Sequence, residues 1–168
     1  MKHSIACIAV ALLPSVLSNG QDFDARSFDW EAANRSVVRL APDRFPQLPA
    51  TLRSYLKQAQ FTIPQAYELG QPHNVIAGDF RSQRITDWAV LASRDRVSRI
   101  LVFWSGSPRK VASIAEAADV GFLQHMGGGV AGFSRVIRTA RVKTILSYRK
   151  TFGDRPIPIE HDGIEDAF

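Results

Sequence analysis

The densest group of side chains able to move protons or hold a metal is Glu160-His161-Asp162 with Glu165-Asp166. In a helix, His161 and Glu165 would stand at i and i+4 on one face, a donor pair that suits transition metals. A structural role fits the same residues, since Asp162 followed three positions later by Glu165 is the pattern of a capping box. Asp79 and Asp87 form a second pair. Two carboxylates flanking one loop can act as acid and base in glycoside hydrolysis, and their neighbours equally suit turn formation. Gly127 to Gly132 matches the spacing G-x-G-x-x-G. That motif needs a helix start to meet pyrophosphate, whereas Phe133 to Ile137 is patterned as extended chain. A glycine loop between a helix and a strand is therefore expected. His73 and His125 lie at no diagnostic ligand spacing, and G-x-S-x-G, H-E-x-x-H and S-x-x-K are missing. The sequence predicts no cofactor, no metal and no assembled catalytic set.

Charge is unevenly spread over the 168 residues, whose formal net charge is +5. From Val120 to Gly153 there is no acidic residue, while Arg135, Arg138, Arg141, Lys143, Arg149 and Lys150 are basic, with Tyr148 among them. The tail from Asp154 to Phe168 reverses the sign through Asp154, Glu160, Asp162, Glu165 and Asp166. A basic, aromatic strand surface can hold single-stranded nucleic acid. An export signal argues against that partner and for an anionic envelope component or a protein. The structural alternative is a solvated sheet face partly neutralised by the acidic tail.

That signal is the N-terminal segment. Lys2 and His3 precede an apolar run from Ile5 to Leu17, and Ser18-Asn19-Gly20 supplies small residues for a cut ahead of Gln21. The run is shorter than the about 20 apolar residues a span requires, so the protein is expected to be periplasmic or secreted and not integral to a membrane. The one cysteine, Cys7, lies inside residues 1–20, which leaves a mature chain without thiols.

The elements that must position these groups follow from periodicity. Ser27–Ala33 is patterned as a short helix and Ser36–Leu40 as a short strand. Pro49–Ala59 is a helix with Leu52, Tyr55, Leu56 and Ala59 inward. Strands are expected over Asn74–Phe80, Thr86–Ser93 and Val97–Trp104, the last two joined by Arg94-Asp95-Arg96 as a hairpin loop. Val111–Asp119 is expected as a helix, and Phe133–Val142 and Thr144–Phe152 as strands. Asp162–Phe168 begins either a helix or a pairing segment. The sum is one α+β domain over 21–168, mainly antiparallel sheet with two or three short helices.

Gly78-Asp79-Phe80 followed by Asp87-Trp88-Ala89-Val90-Leu91 resembles one FG-GAP/VCBS-type repeat. In that family a strand, an Asp-rich loop and a strand bind calcium through loop positions one, three, five and nine. Asp79 and Asp87 match the first and last; Arg81, Ser82, Gln83 and Arg84 depart from the pattern. The resemblance therefore implies the strand-loop-strand shape without the calcium, an ion that takes six to eight oxygens. More broadly, the order of Arg39 to Pro42, Ile63 to Gln65, Asn74 to Phe80, Asp87 to Leu91 and His161 to Phe168 is similar to small exported bacterial proteins of unassigned function. Two functions are expected from the whole. One is an exported non-catalytic binding domain, and the other is a small periplasmic hydrolase using carboxylates or His161.

Overall fold

The computed structural model describes residues 27–67, 69–70, 72–82, 84–152 and 159–168, with side chains omitted for 148–152. Residues 1–20, Cys7, Gln83, Asp154 and the side chains of Tyr148, Arg149 and Lys150 lie outside the described part. In chain order the elements are α1 (Trp30–Ser36), β1 (Arg39–Leu40), α2 (Ala50–Gln58), β2 (Ile63–Pro64), β3 (Val75–Gly78), β4 (Asp87–Arg94), β5 (Val97–Phe103), β6 (Val111–Ala118), β7 (Leu123–Gly127), β8 (Val130–Phe133), β9 (Val136–Ala140), α3 (Val142–Phe152) and β10 (Gly163–Ala167). Short 3-10 turns at Pro42–Arg44, Trp104–Gly106 and Asp119–Phe122 link them.

The centre is an antiparallel sheet ordered β3-β4-β5-β6. Asp95 and Arg96, with φ of 54° and 60°, make the two-residue turn between β4 and β5. This left-handed pair matches the natural twist of a hairpin. Alternation along β4 divides the core. Val90 and Ala92 join Leu101 and Phe103 on one face, beneath Leu52 and Leu56 of α2 and beside Phe45, Leu48 and Ile63. Ala89 and Leu91 join Ile100 and Val102 on the other, beneath Leu123, Phe133 and Ile137, with Trp30 and Ala33 of α1 at the margin. Each fully buried Leu or Phe here contributes about 1.5–3 kcal/mol, which is how a chain without disulfides holds a two-sided core. Asp29 caps α1 by accepting from the Ala32 N–H at 2.8 Å.

The β3 edge is closed by side chains. Asn74, buried and at φ 73°, donates from Nδ2 to the carbonyl oxygens of Pro64 (2.7 Å) and Arg135 (3.3 Å). Its Oδ1 accepts from the Ile137 N–H at 3.0 Å, and Thr139 Oγ1 donates to the Ala77 carbonyl at 3.2 Å. These bonds lay β9 beside β3. The small sheets β1-β2, β7-β8 and β9-β10, all antiparallel, complete a single mixed α+β domain, with three helices among the described residues.

Three elements differ from expectation, and a fourth takes one of its two expected forms. Val111–Asp119 is not a helix: residues 111–118 form β6, paired with β5 from Phe103↔Val111 to Val97↔Ala118. Alanine's helix propensity is worth under about 1 kcal/mol per residue, less than leaving the β5 ladder unmade. Thr144–Phe152 is not a strand but most of α3, in which Val142 and Ile145 share the half-buried side while Thr144 and Leu146 are exposed. Gly127, Gly128 and Gly129 lie at the tip of the β7-β8 hairpin, between two strands, with φ of 89°, 60° and 78°. Asp162 caps no helix; of the two alternatives for Asp162–Phe168 the pairing segment holds, as β10, zipped onto β9 from Gly163↔Ala140 to Ala167↔Val136.

Candidate functional site

Asp79 and Asp87 bracket the loop after β3. Asp79 Oδ2 accepts from the Arg84 N–H at 3.0 Å. Asp87, fully buried, accepts from the Arg81 N–H at 3.2 Å with Oδ2 and from the Ser105 N–H at 2.6 Å with Oδ1. Arg81 donates to Ser105 Oγ at 3.2 Å, and its guanidinium stands 5.7 Å from the Trp104 ring. The carboxylates therefore hold a loop and the turn at Trp104–Gly106, where Ser105 sits at φ 54°. Three of the four carboxylate oxygens thus accept backbone N–H groups. Among the described residues no group of three or more His, Cys, Asp or Glu is placed to hold a metal ion.

The tail cluster is dismantled along β10. Asp162 lies next to Asp79 only through backbone, its N–H donating to the Asp79 carbonyl at 3.1 Å. Its carboxylate accepts from Arg141 Nη1 at 2.6 Å. His161 Nδ1 sits 3.0 Å from the Asp162 carbonyl oxygen. Glu165, with the strand rather than a helix around it, faces Arg138 at 3.8 Å. His161 and Glu165 therefore share no helix face.

Three residues of the basic strip, Arg135, Arg138 and Arg141, meet carboxylates of the tail. Arg135 is not a surface residue: 1% exposed, it donates to both oxygens of Asp166 at 2.9 and 2.7 Å. It also reaches Ser98 Oγ at 3.0 Å and the Ala115 carbonyl at 2.7 Å, with its guanidinium 4.4 Å from the centre of the Phe122 ring. Arg138 and Arg141 take Glu165 and Asp162. Lys143 is exposed at the start of α3, and Tyr148, Arg149 and Lys150 follow on that helix rather than on a strand. A second ionic group, absent from the sequence reading, joins α1, β1 and β4. Buried Asp119 accepts from Arg39 Nη2 and from Ser93 Oγ, both at 2.7 Å, and Arg39 continues to Asn34 Oδ1 at 2.7 Å.

A concave surface rich in apolar side chains lies elsewhere. The segment after β2 crosses β8, with the Tyr67 N–H donating to the Phe133 carbonyl at 2.8 Å. Gln65 and His73 pin its base: the His73 N–H donates to Gln65 Oε1 at 3.0 Å, and His73 Nε2 accepts from the Ala66 N–H at 2.6 Å. Gly132 permits the crossing, because a Cβ there would fall 2.6 Å from Tyr67 Cβ. Clefts of about 330 and 430 Å³ open on either side, sharing Tyr67, Leu69, Gly132 and Phe133. Among the described residues, five of the eleven exposed large apolar side chains line them: Val38, Tyr67, Leu69, Met126 and Phe168. Scattered apolar residues need no explanation, but a gathered set marks a contact surface. Neither cleft is lined by Asp79, Asp87, His161, Asp162 or Glu165. The available sequence signal was Tyr67 and Leu69 standing between Pro64 and Pro72. No family model, no curated protein and no solved structure matches this chain.

Proposed function

We propose that the chain is an exported, non-catalytic binding domain whose contact surface is the paired cleft around Tyr67 and whose partner is a protein segment bearing apolar side chains. The observation that carries this is the division of labour between the carboxylates and the exposed apolar side chains. The carboxylates of Asp79, Asp87, Asp162 and Glu165 face backbone N–H groups or arginines, while apolar side chains converge on one concave surface. The burial of Arg135 against Asp166, with Arg138 and Arg141 beside Glu165 and Asp162, favours a protein over an anionic envelope polymer. The hydrolase alternative has less support, since among the described residues no carboxylate or histidine lines either cleft. Export rests on the sequence of residues 1–20, and no helix among the described residues is long and apolar enough to cross a membrane. The strand-loop-strand resembling an FG-GAP repeat is, in this account, a structural brace. Selection from a displayed random-peptide library tests the proposal. Apolar peptides should be enriched on the wild-type domain, lost on Leu69→Glu and kept on Asp79→Asn. Enrichment that ignores Leu69→Glu would refute it.

A further inference from the structure

The four-stranded sheet has two edges. Asn74, Thr139 and β9 close the β3 side. The β6 side is covered by no strand among the described residues. β6 is eight residues long, carries one charge (Glu116), and exposes Val111 and Ile114 at 37% and 47%. The Trp104 N–H donates to the Lys110 carbonyl at 2.9 Å, in register with Phe103↔Val111. Antiparallel ladders alternate, so Ala112 and Ile114 bond back to β5 while the N–H and C=O of Val111 and Ser113 point away from it. A left-handed residue, Ala115 at φ 53°, ends this open stretch, and its carbonyl is already held by Arg135. An open edge of this kind is a template for another strand.

We propose that β6 pairs antiparallel with β6 of a second copy of this chain, across a two-fold axis at Ala112, so that the two sheets become one. The outward-facing residues stand symmetrically about Ala112. Val111 of each copy then faces Ser113 of the other, and each such pair exchanges both its N–H···O bonds. The small side chain of Ala112 suits the close approach on the axis. Charge selects the same orientation. Arg109 and Lys110 precede the strand's open stretch and Glu116 follows it. An antiparallel copy brings Glu116 toward Arg109 and Lys110 of the other twice over, whereas a parallel copy aligns like with like. Glu116 is held by Arg99 at 2.8 Å and remains about half exposed, which leaves an oriented carboxylate open to a second cation. A self-complementary patch of this kind is what a two-fold dimer requires.

Sedimentation equilibrium over a concentration series into the millimolar range tests the proposal. The wild type should show a monomer–dimer equilibrium. Ser113→Pro should abolish the dimer while circular dichroism and melting stay near wild type, because the Ser113 N–H serves no bond to β5. Glu116→Lys should weaken association roughly tenfold, and adding Arg109→Glu and Lys110→Glu should restore it. If Ser113→Pro fails to fold, the charge reversal and its rescue decide. A monomer at every concentration would overturn the proposal, as would a dimer indifferent to Ser113→Pro and Glu116→Lys. So would a dimer broken by Leu69→Glu alone, which would move self-association to the Tyr67 cleft.

Discussion

Replacing Arg135 with methionine should destabilise the domain by about 3 kcal/mol. The guanidinium is 1% exposed and makes four hydrogen bonds, two of them to Asp166. Methionine keeps most of the volume over the Phe122 ring, so little of the loss is cavity. Breaking one side of a buried ion pair costs about 3–5 kcal/mol. The Asp166 side chain retains 26% exposure, so water recovers part of its solvation and the lower end applies. Replacing Asp166 with leucine in the same chain removes the orphaned carboxylate. The double variant should then cost no more than about 2 kcal/mol, the remainder arising from Ser98 and Ala115 losing a donor. Urea unfolding of the wild type, both single variants and the double variant gives the coupling directly. A single Arg135→Met variant costing under about 1 kcal/mol, or strictly additive single variants, would refute the view that Arg135 is internal structure.

Three further outcomes follow from the same geometry. Millimolar calcium should leave the melting temperature unchanged, since no ligand stabilises a native state it does not bind; Asp87→Asn should cost about 1–3 kcal/mol through its two backbone donors, and a calcium-dependent rise lost in Asp79→Asn would restore a metal role. Asn74→Ala should be more destabilising than Asn74→Gly by about 1 kcal/mol, because both lose the stitches to β9 but only alanine is strained at φ 73°; equal chemical-denaturation midpoints would contradict this. Mass spectrometry of the exported chain should find a start near Gln21, and an intact Met1 on that form would contradict cleavage.

Three of the four strands of the central sheet were legible, β4 and β5 most plainly because their side chains alternate between two faces and a turn at Asp95-Arg96 matches the hairpin twist. The misplaced elements are those whose local preferences yield to a distant partner. Val111–Ala118 has helix-forming alanines, yet the free edge of β5 claims it. Asp162 and Glu165 have capping-box spacing, yet Arg141 and Arg138 of the preceding segment take their carboxylates. Opposite charge in the two segments was visible in the sequence; that the pairing would run rung by rung, with Arg135 buried, depends on register, which spacing does not carry. The Tyr67 cleft was illegible for a different reason. It is built from the segment after β2, from β7, β8 and β9 and from Ala167 and Phe168, brought together in part by the bond from Tyr67 to Phe133 and the missing Cβ of Gly132.

The most direct measurement of the central claim is a backbone amide NMR titration with an apolar peptide taken from the displayed library. Shifts should concentrate at Tyr67, Gln124, Gly132, Ser134 and Phe168, which line the cleft, and leave Asp79, Asp87, His161 and Asp162 unmoved. Shifts confined to the Asp79–Asp87 loop and residues 160–162, with the cleft silent, would contradict the account and return the polar cluster to the position of functional site.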